Sequence, residues 1–398
     1  MTSSQRARGA GETGTMRLRA GFIPLLDAAP LIVAREMGFA ADEAIDLELV
    51  RETSWANIRD RMFLGHFDAA HMLAPMAVST RLGIGHVQAP LIATWVLNHG
   101  GNSIAITPAL KAEGGEWGAP GDPIASGRTL ARIVASRARA NREPLTLATV
   151  FPFSCHHYQV CHWLDAAGID PDRDVRLVVV PPPHIVEAMM AGSVDVVCVG
   201  APWTSLAVEA GVGHLLMPAA ALWPSAPEKV LAVREDFAAS HAAEFTALLR
   251  AVDQAAAWCE DVANRKALAA LLARPEFVGV DAQVIEAALE GFLPVGLGET
   301  PMRIDGFLRF HGTGATGSIN RPRVADGLWF AAQMLRRRQY ADRHTAFEAA
   351  RAVFLPTIWD ETFGSPTSSS TEVTTFFGPI FNASEPEAWL SRMSAAAV

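Results

Sequence analysis

The sequence of 398 residues predicts an α/β protein of two similar lobes that close on a shared cleft. Three observations carry this. The chain is long enough for two hydrophobic cores. A helix–strand–helix–strand order occurs twice, with Gly65-His-Phe-Asp68 and Gly192-Ser-Val-Asp195 at matching places some 130 residues apart. An apolar run over 145–151 also leads through Phe151-Pro-Phe-Ser-Cys-His-His-Tyr158 into a helix. Such a strand-to-helix corner is where open α/β sheets bind ligands. Each repeated βαβ unit needs helices to cover its strands, and the period is too long for a solenoid. Paired lobes on a hinge satisfy both conditions.

Taken in order, 18–22 reads as a strand, 28–38 as a helix stopped by Gly38, and 45–50 as an alternating strand. A helix over 55–64 ends at Gly65, and 68–73 is a buried strand. The second copy has a helix ending at Gly168, a strand over 174–180, a helix over 185–191 ending at Gly192, and a strand over 195–199. Between the copies, 108–142 is rich in Gly, Pro and Ala and carries a basic helix over 129–142. A strand over 229–234 returns to the first lobe, and 238–272 is helical. A short strand over 303–310, a glycine turn at 312–317 and amphipathic helices over 323–339 and 345–354 follow. The expected division is a disordered lead (1–16), one lobe from 17–107 plus 229–364, the other from 108–228, and a weakly ordered Ser/Thr-rich tail (365–398).

The bulk numbers narrow the function. A net charge of −9 argues against direct nucleic-acid binding. Four cysteines (Cys155, Cys161, Cys198, Cys259) are too few for a secreted disulfide scaffold and fit a reducing compartment. The start is polar, 21–33 is interrupted by Pro24, Asp27 and Pro30, and no run reaches membrane-spanning length. The expectation is a cytoplasmic protein without membrane insertion, periplasmic if translation starts further upstream.

Candidate chemistry centres on the corner at 151–158. Ser154 is a good N-cap, and His156 lies in the first turn, where free N–H groups and the helix dipole favour an anion. His157 and Cys161, at i and i+4, suggest a metal, but a second pair at zinc spacing is missing and Cys161 reads equally as core. Nucleophile-elbow and glycine-rich phosphate motifs are lacking, so neither a cofactor nor an enzyme activity is expected. Trp55 reads as a cavity wall or as a core tryptophan. Gly100-Gly-Asn102-Ser103 reads as a ligand-facing turn or a plain one. Lys229, where the chain crosses between lobes, reads as a ligand cation or as surface charge.

Several stretches together resemble the nitrate/bicarbonate-binding proteins of ABC-type uptake systems. They are 22–34, Glu52-Thr-Ser-Trp55, Asp68-Ala-Ala-His-Met-Leu-Ala-Pro-Met76, Val179-Val-Pro-Pro-Pro183, Cys198-Val-Gly-Ala-Pro-Trp203 and Pro227-Glu-Lys-Val230. The resemblance covers about 17–364 and implies a type II periplasmic-binding-protein clamp. It places a nitrate site on Trp55, Asn102, His156 and Lys229, with Pro182 and Ser154 as possible lining. A lysine at 229, where bicarbonate-type relatives look acidic and hold calcium, implies nitrate or nitrite and no metal. Asn102 replaces the glutamine of transport members, and Ala28 and Ala201 stand where relatives show cysteine and glutamate. Members without an export signal resemble nitrate/nitrite sensors of assimilation operons, whose partner is an RNA-binding antiterminator protein. The expected function is therefore a nitrate sensor, with the substrate-binding component of a transporter as the alternative. In all these readings one lysine is the main counter-charge to a univalent anion.

Overall fold

The computed structural model describes residues 15–314, 317–365 and 370–395, and in it two mixed sheets are each covered by helices. The strands are β1 (Met16–Phe22), β2 (Ile45–Arg51), β3 (Ala69–Leu73), β4 (Leu91–Gly100), β5 (Asn102–Ile106), β6 (Thr146–Thr149), β7 (Arg176–Val179), β8 (Val196–Gly200), β9 (His214–Pro218) and β10 (Pro227–Arg234). The larger sheet runs β2-β1-β3-β10-β4 and ends on the short strand Leu308–Arg309. The smaller runs β7-β6-β8-β5-β9. In each, a first strand lies between two parallel neighbours (β1 between β2 and β3, β6 between β7 and β8). In each, the fourth position is an antiparallel strand, β10 or β5, that begins where the chain has just crossed between the sheets. The sequence repeat is thus a repeat of topology, with the crossing strands exchanged.

The chain first crosses at Gly100-Gly101, earlier than the expected boundary at 107, because Asn102–Ile106 pairs with β8 and β9. Both glycines have positive φ, 71° and 86°, a region L side chains avoid. Gly101 N–H donates to Phe307 O at 2.6 Å, pinning the crossing against the loop before Leu308–Arg309.

β4 is not legible from the sequence. Leu91-Ile-Ala-Thr-Trp-Val-Leu97 is apolar but for Thr94 and buried on both faces, so it lacks the alternation that marks a half-exposed strand. The expected helix over 238–272 is three pieces, Glu235–Ser240, Ala242–Glu260 and Arg265–Leu272. Asp261 breaks the last two apart by accepting from Ala263 N–H at 2.9 Å. Residues 1–14 of the expected lead lie outside the described residues, whereas Met16 already belongs to β1.

The tail also differs from expectation. Glu372–Val373 and Phe381–Asn382 form a hairpin, and Pro386–Ala395 is a helix whose Trp389 is buried and donates to Pro379 O at 2.8 Å. Apolar Val373, Phe376, Phe377, Phe381 and Trp389 among the serines and threonines hold it to the core. Among the described residues no helix is long and apolar enough to cross a membrane.

Candidate functional site

The two lobes are shut on each other. Leu26 N–H, from the turn after β1, donates to Ala201 O after β8 at 3.0 Å, and Trp203 Nε1–H donates to Pro24 O at 2.9 Å. Arg59 lies over the Phe151 ring, 5.9 Å from its centroid. What these contacts enclose is polar.

On the first lobe, β2 ends in the turn Glu52-Thr-Ser54, and Ser54 caps the helix Trp55–Phe63 by accepting from Asn57 N–H at 3.2 Å. The Trp55 ring is buried against His71 of β3, centroid to centroid 5.2 Å. Ile23 N–H donates to His71 Nδ1 at 3.4 Å, so the ring proton sits on Nε2 and points to Asp27 Oδ1 at 2.8 Å. The other Asp27 oxygen is 2.7 Å from Lys229 Nζ. All four side chains are 3% exposed or less.

Lys229 occupies an irregular stretch of β10, where the register against β4 slips on either side of it. Such a bulge re-aims a side chain. Asn98 holds the slipped backbone, accepting from Lys229 N–H at 3.2 Å and donating to Gly100 O at 2.9 Å.

On the second lobe, β6 leads to Ser154, whose hydroxyl accepts from His157 N–H at 3.0 Å and donates to Phe151 O at 2.7 Å. This starts the helix Cys155–Ala166 with His156 in its first turn. Tyr158 and His162 of the same helix bond to Gln339 and Phe377 O at 2.8 Å each, and Asp165 pairs with Arg336 and Arg337. The C-terminal segment thereby fixes how His156 is presented. Asn102 opens β5, and its Oδ1 and the Asp27 carboxylate both border Gly200, where an added Cβ would come within 3.3 and 3.7 Å of them.

The electrostatics divide these groups. Burial would raise the Asp27 carboxyl, but Lys229 and then His71 outweigh it and hold it well below the usual carboxylate range. Burial would lower Lys229, but Asp27 and Glu228 reverse this and raise it. Burial lowers His71, against the pull of Asp27. Burial, followed by the nearby Lys229 charge, drives His156 far down. Near neutral pH the cluster is therefore a charged Asp27–Lys229 pair flanked by two uncharged imidazoles. Both ring nitrogens of His156 and the Trp55 indole N–H are buried without a hydrogen-bond partner among the described residues. Leaving such a group unpaired costs about 1–3 kcal/mol, a cost that a bonding partner in the cleft would remove.

Of the residues expected from the sequence, Trp55, Asn102, His156 and Lys229 lie about one buried cluster, joined through Asp27 and His71. Ser154 acts on it through the helix cap. Pro182 is buried at the start of the turn Pro182–His184, and among the described residues no hydrogen bond joins it to the cluster. One expectation is corrected: Lys229 is not a lone counter-charge, because Asp27 already pairs with it. The signal for Asp27 was available, since it is a single acid in the apolar run 22–34. His71 and Asn98 gave no signal of that kind.

A model of the NMT1-like family matches residues 11–273. The nitrate/nitrite binding protein NrtA of Synechococcus elongatus is 33% identical over 395 residues, covering 95% of this chain and 86% of the relative. The bicarbonate-binding protein CmpA of the same organism is 29% identical over 407 residues, 97% and 88% of the two chains. The nitrate import ATP-binding protein NrtC of Synechocystis is 33% identical over 341 residues, 84% of this chain, which spans about half (48%) of that relative's length. Among solved structures, the periplasmic nitrate-binding protein NrtA from Synechocystis PCC 6803 superposes with a TM-score of 0.85 at 27% identity, over 95% of this chain and 98% of that one. The alkanesulfonate-binding protein SsuA from Xanthomonas axonopodis pv. citri shares the fold alone, with a TM-score of 0.59 at 14% identity.

Proposed function

The chain belongs to the NMT1-like family, and on that premise we propose that it captures a small univalent oxyanion, nitrate foremost, in the cleft between its lobes. The observation that carries the reading is the set of buried donors at one place: His156 and the Trp55 indole, without partners among the described residues, beside the Lys229 ammonium. Nitrate is planar and weakly hydrated, with three equivalent acceptor oxygens. Lys229 supplies charge from the N–H bonds that Asp27 leaves over, and His156, Asn102 and Trp55 supply directed donors. Because Asp27 already offsets Lys229, the cluster has little positive charge to spare, and a dianion such as sulfate is disfavoured.

With the lobes shut and these side chains 1% exposed or less, the anion enters only when the lobes part. It stabilises the closed form to the extent that it binds that form better. A clamp of this kind serves as the substrate-binding component of an ABC-type uptake system. The relatives NrtA, CmpA and NrtC are named for anion binding and import, which favours this role over the expected cytoplasmic sensor with an antiterminator partner. The uptake role places the protein outside the cytoplasm, and cell fractionation tests that.

The binding test is calorimetry with nitrate, nitrite, bicarbonate and sulfate on the purified chain. Saturable one-to-one nitrate binding that sulfate does not displace is the expected result. Tight sulfate binding, or none of the four binding, removes the reading.

A further inference from the structure

We propose that anion capture in this cleft is coupled to the uptake of a proton, and that the Glu228 carboxyl is the group that receives it. The inference rests on the anion reading above and adds a co-bound proton to it.

Glu228 and Lys229 are consecutive on β10, both fully buried, and serve opposite lobes. Lys229 reaches Asp27 of the first lobe. Glu228 reaches the second, where its Oε1 accepts from Gln159 Nε2 at 3.1 Å, one helical turn below His156. Its Oε2 is buried and has no hydrogen-bond partner among the described residues. Facing it are Gln159 and the Cys155 thiol on the His156 helix, Asn102 on β5, the Cys198 thiol on β8, and Lys229 and Asp27. Lys229 is the cation that acts on it, and Asp27 has already claimed that charge.

The charges then settle the matter. With Glu228 ionised, the dry cluster holds two carboxylates against one ammonium, with both imidazoles neutral. An incoming anion would make three negative charges to one positive in a place closed off from bulk solvent. The N-terminus of the Cys155–Ala166 helix contributes only about half a positive charge. With Glu228 protonated, one negative charge is left to that helix end and the surrounding N–H donors. Burial, offset by Lys229, the nearby Asn102 amide and the bond from Gln159, pushes the Glu228 carboxyl up to about 7, so the proton is available near neutrality.

The test uses nitrate, which does not titrate itself, in calorimetry at pH 6, 7 and 8, in buffer pairs of different ionisation enthalpy. Above pH 7 the wild-type protein is expected to take up close to one proton per nitrate, declining toward zero at pH 6. Its affinity then falls up to about tenfold per pH unit above 7. E228Q is expected to take up no proton and to lose that pH slope. Nitrate binding with buffer-independent heats at pH 8 overturns the proposal and leaves the anion reading standing. An unchanged slope in E228Q with proton uptake intact overturns the choice of Glu228. Absence of binding by nitrate, nitrite and bicarbonate at every pH removes both.

Discussion

The corner after β1 and the corner after β6 occupy the same place in the two lobes, and they are built in opposite ways. Both follow the strand at the centre of a parallel triplet, and both lead into a helix. After β1 the helix Ala29–Glu36 begins with no side-chain cap, and the polar residue of the corner, Asp27, is saturated by His71 and Lys229. After β6 the helix Cys155–Ala166 is capped by Ser154, and the polar residue of the corner, His156, has both nitrogens unpartnered among the described residues. One corner anchors the lysine and the other offers a donor. A duplicated fold position can therefore be used once as structure and once as receptor.

The sharpest way to break this contrast is to remove the residue that ties the corners together. Lys229→Ala abolishes the nitrate-induced rise in melting temperature. It also destabilises the unliganded protein by about 3–5 kcal/mol, because the Asp27 charge is left buried without its cation. Denaturant melts with and without nitrate check both halves, and an unliganded protein of wild-type stability would show Asp27 to be less enclosed than the structure has it.

A second measurement separates the two carboxyls by pH. Asp27 is held below its unfolded value, so its stabilising effect is present above that value and disappears as acid protonates it. Glu228 is raised from 4.5 to about 7, so the folded state binds the extra proton, and stability is lost as pH climbs between those values. The loss by Glu228 is about 3 kcal/mol, and E228Q should remove it from a stability profile taken without nitrate.

His156→Gln tests the receptor side alone. Losing a directed bond to a charged ligand costs about 1.5–3 kcal/mol, roughly ten- to hundredfold in nitrate affinity. Since the His156 ring has no hydrogen bond among the described residues to lose, thermal stability without nitrate should move far less than for Lys229→Ala. The smallest effect belongs to the cap. Ser154→Ala should cost about 1 kcal/mol of stability and weaken nitrate binding with it, whereas Ser54→Ala should cost a similar amount of stability. Equal effects of the two on affinity would remove the special standing of the His156 helix.

Much of this molecule could be read before it was folded. Ser154 followed by Cys155-His156-His157 announced a helix start because a cap works over three residues. The matching glycine–aspartate corners announced the duplication. β4 could not be read, because a strand buried on both faces has no polar alternation to show. The tail reads as weakly ordered because its serines and threonines outnumber the few aromatic residues that anchor it.

The sequence by itself determined whatever acts over one or two turns of chain: the caps at Ser54 and Ser154, the left-handed bend at Gly100-Gly101, and His156 in the first turn of its helix. Family motifs added the identities of Trp55, Asn102 and Lys229. Only the tertiary structure decided that Lys229 meets Asp27, that His71 orients that carboxylate, and that Glu228 is turned to the opposite lobe. The physical reason is that charge compensation in a dry interior depends on distance and dielectric. Those exist only once β1, β3 and β10 lie side by side and the second lobe has closed over them.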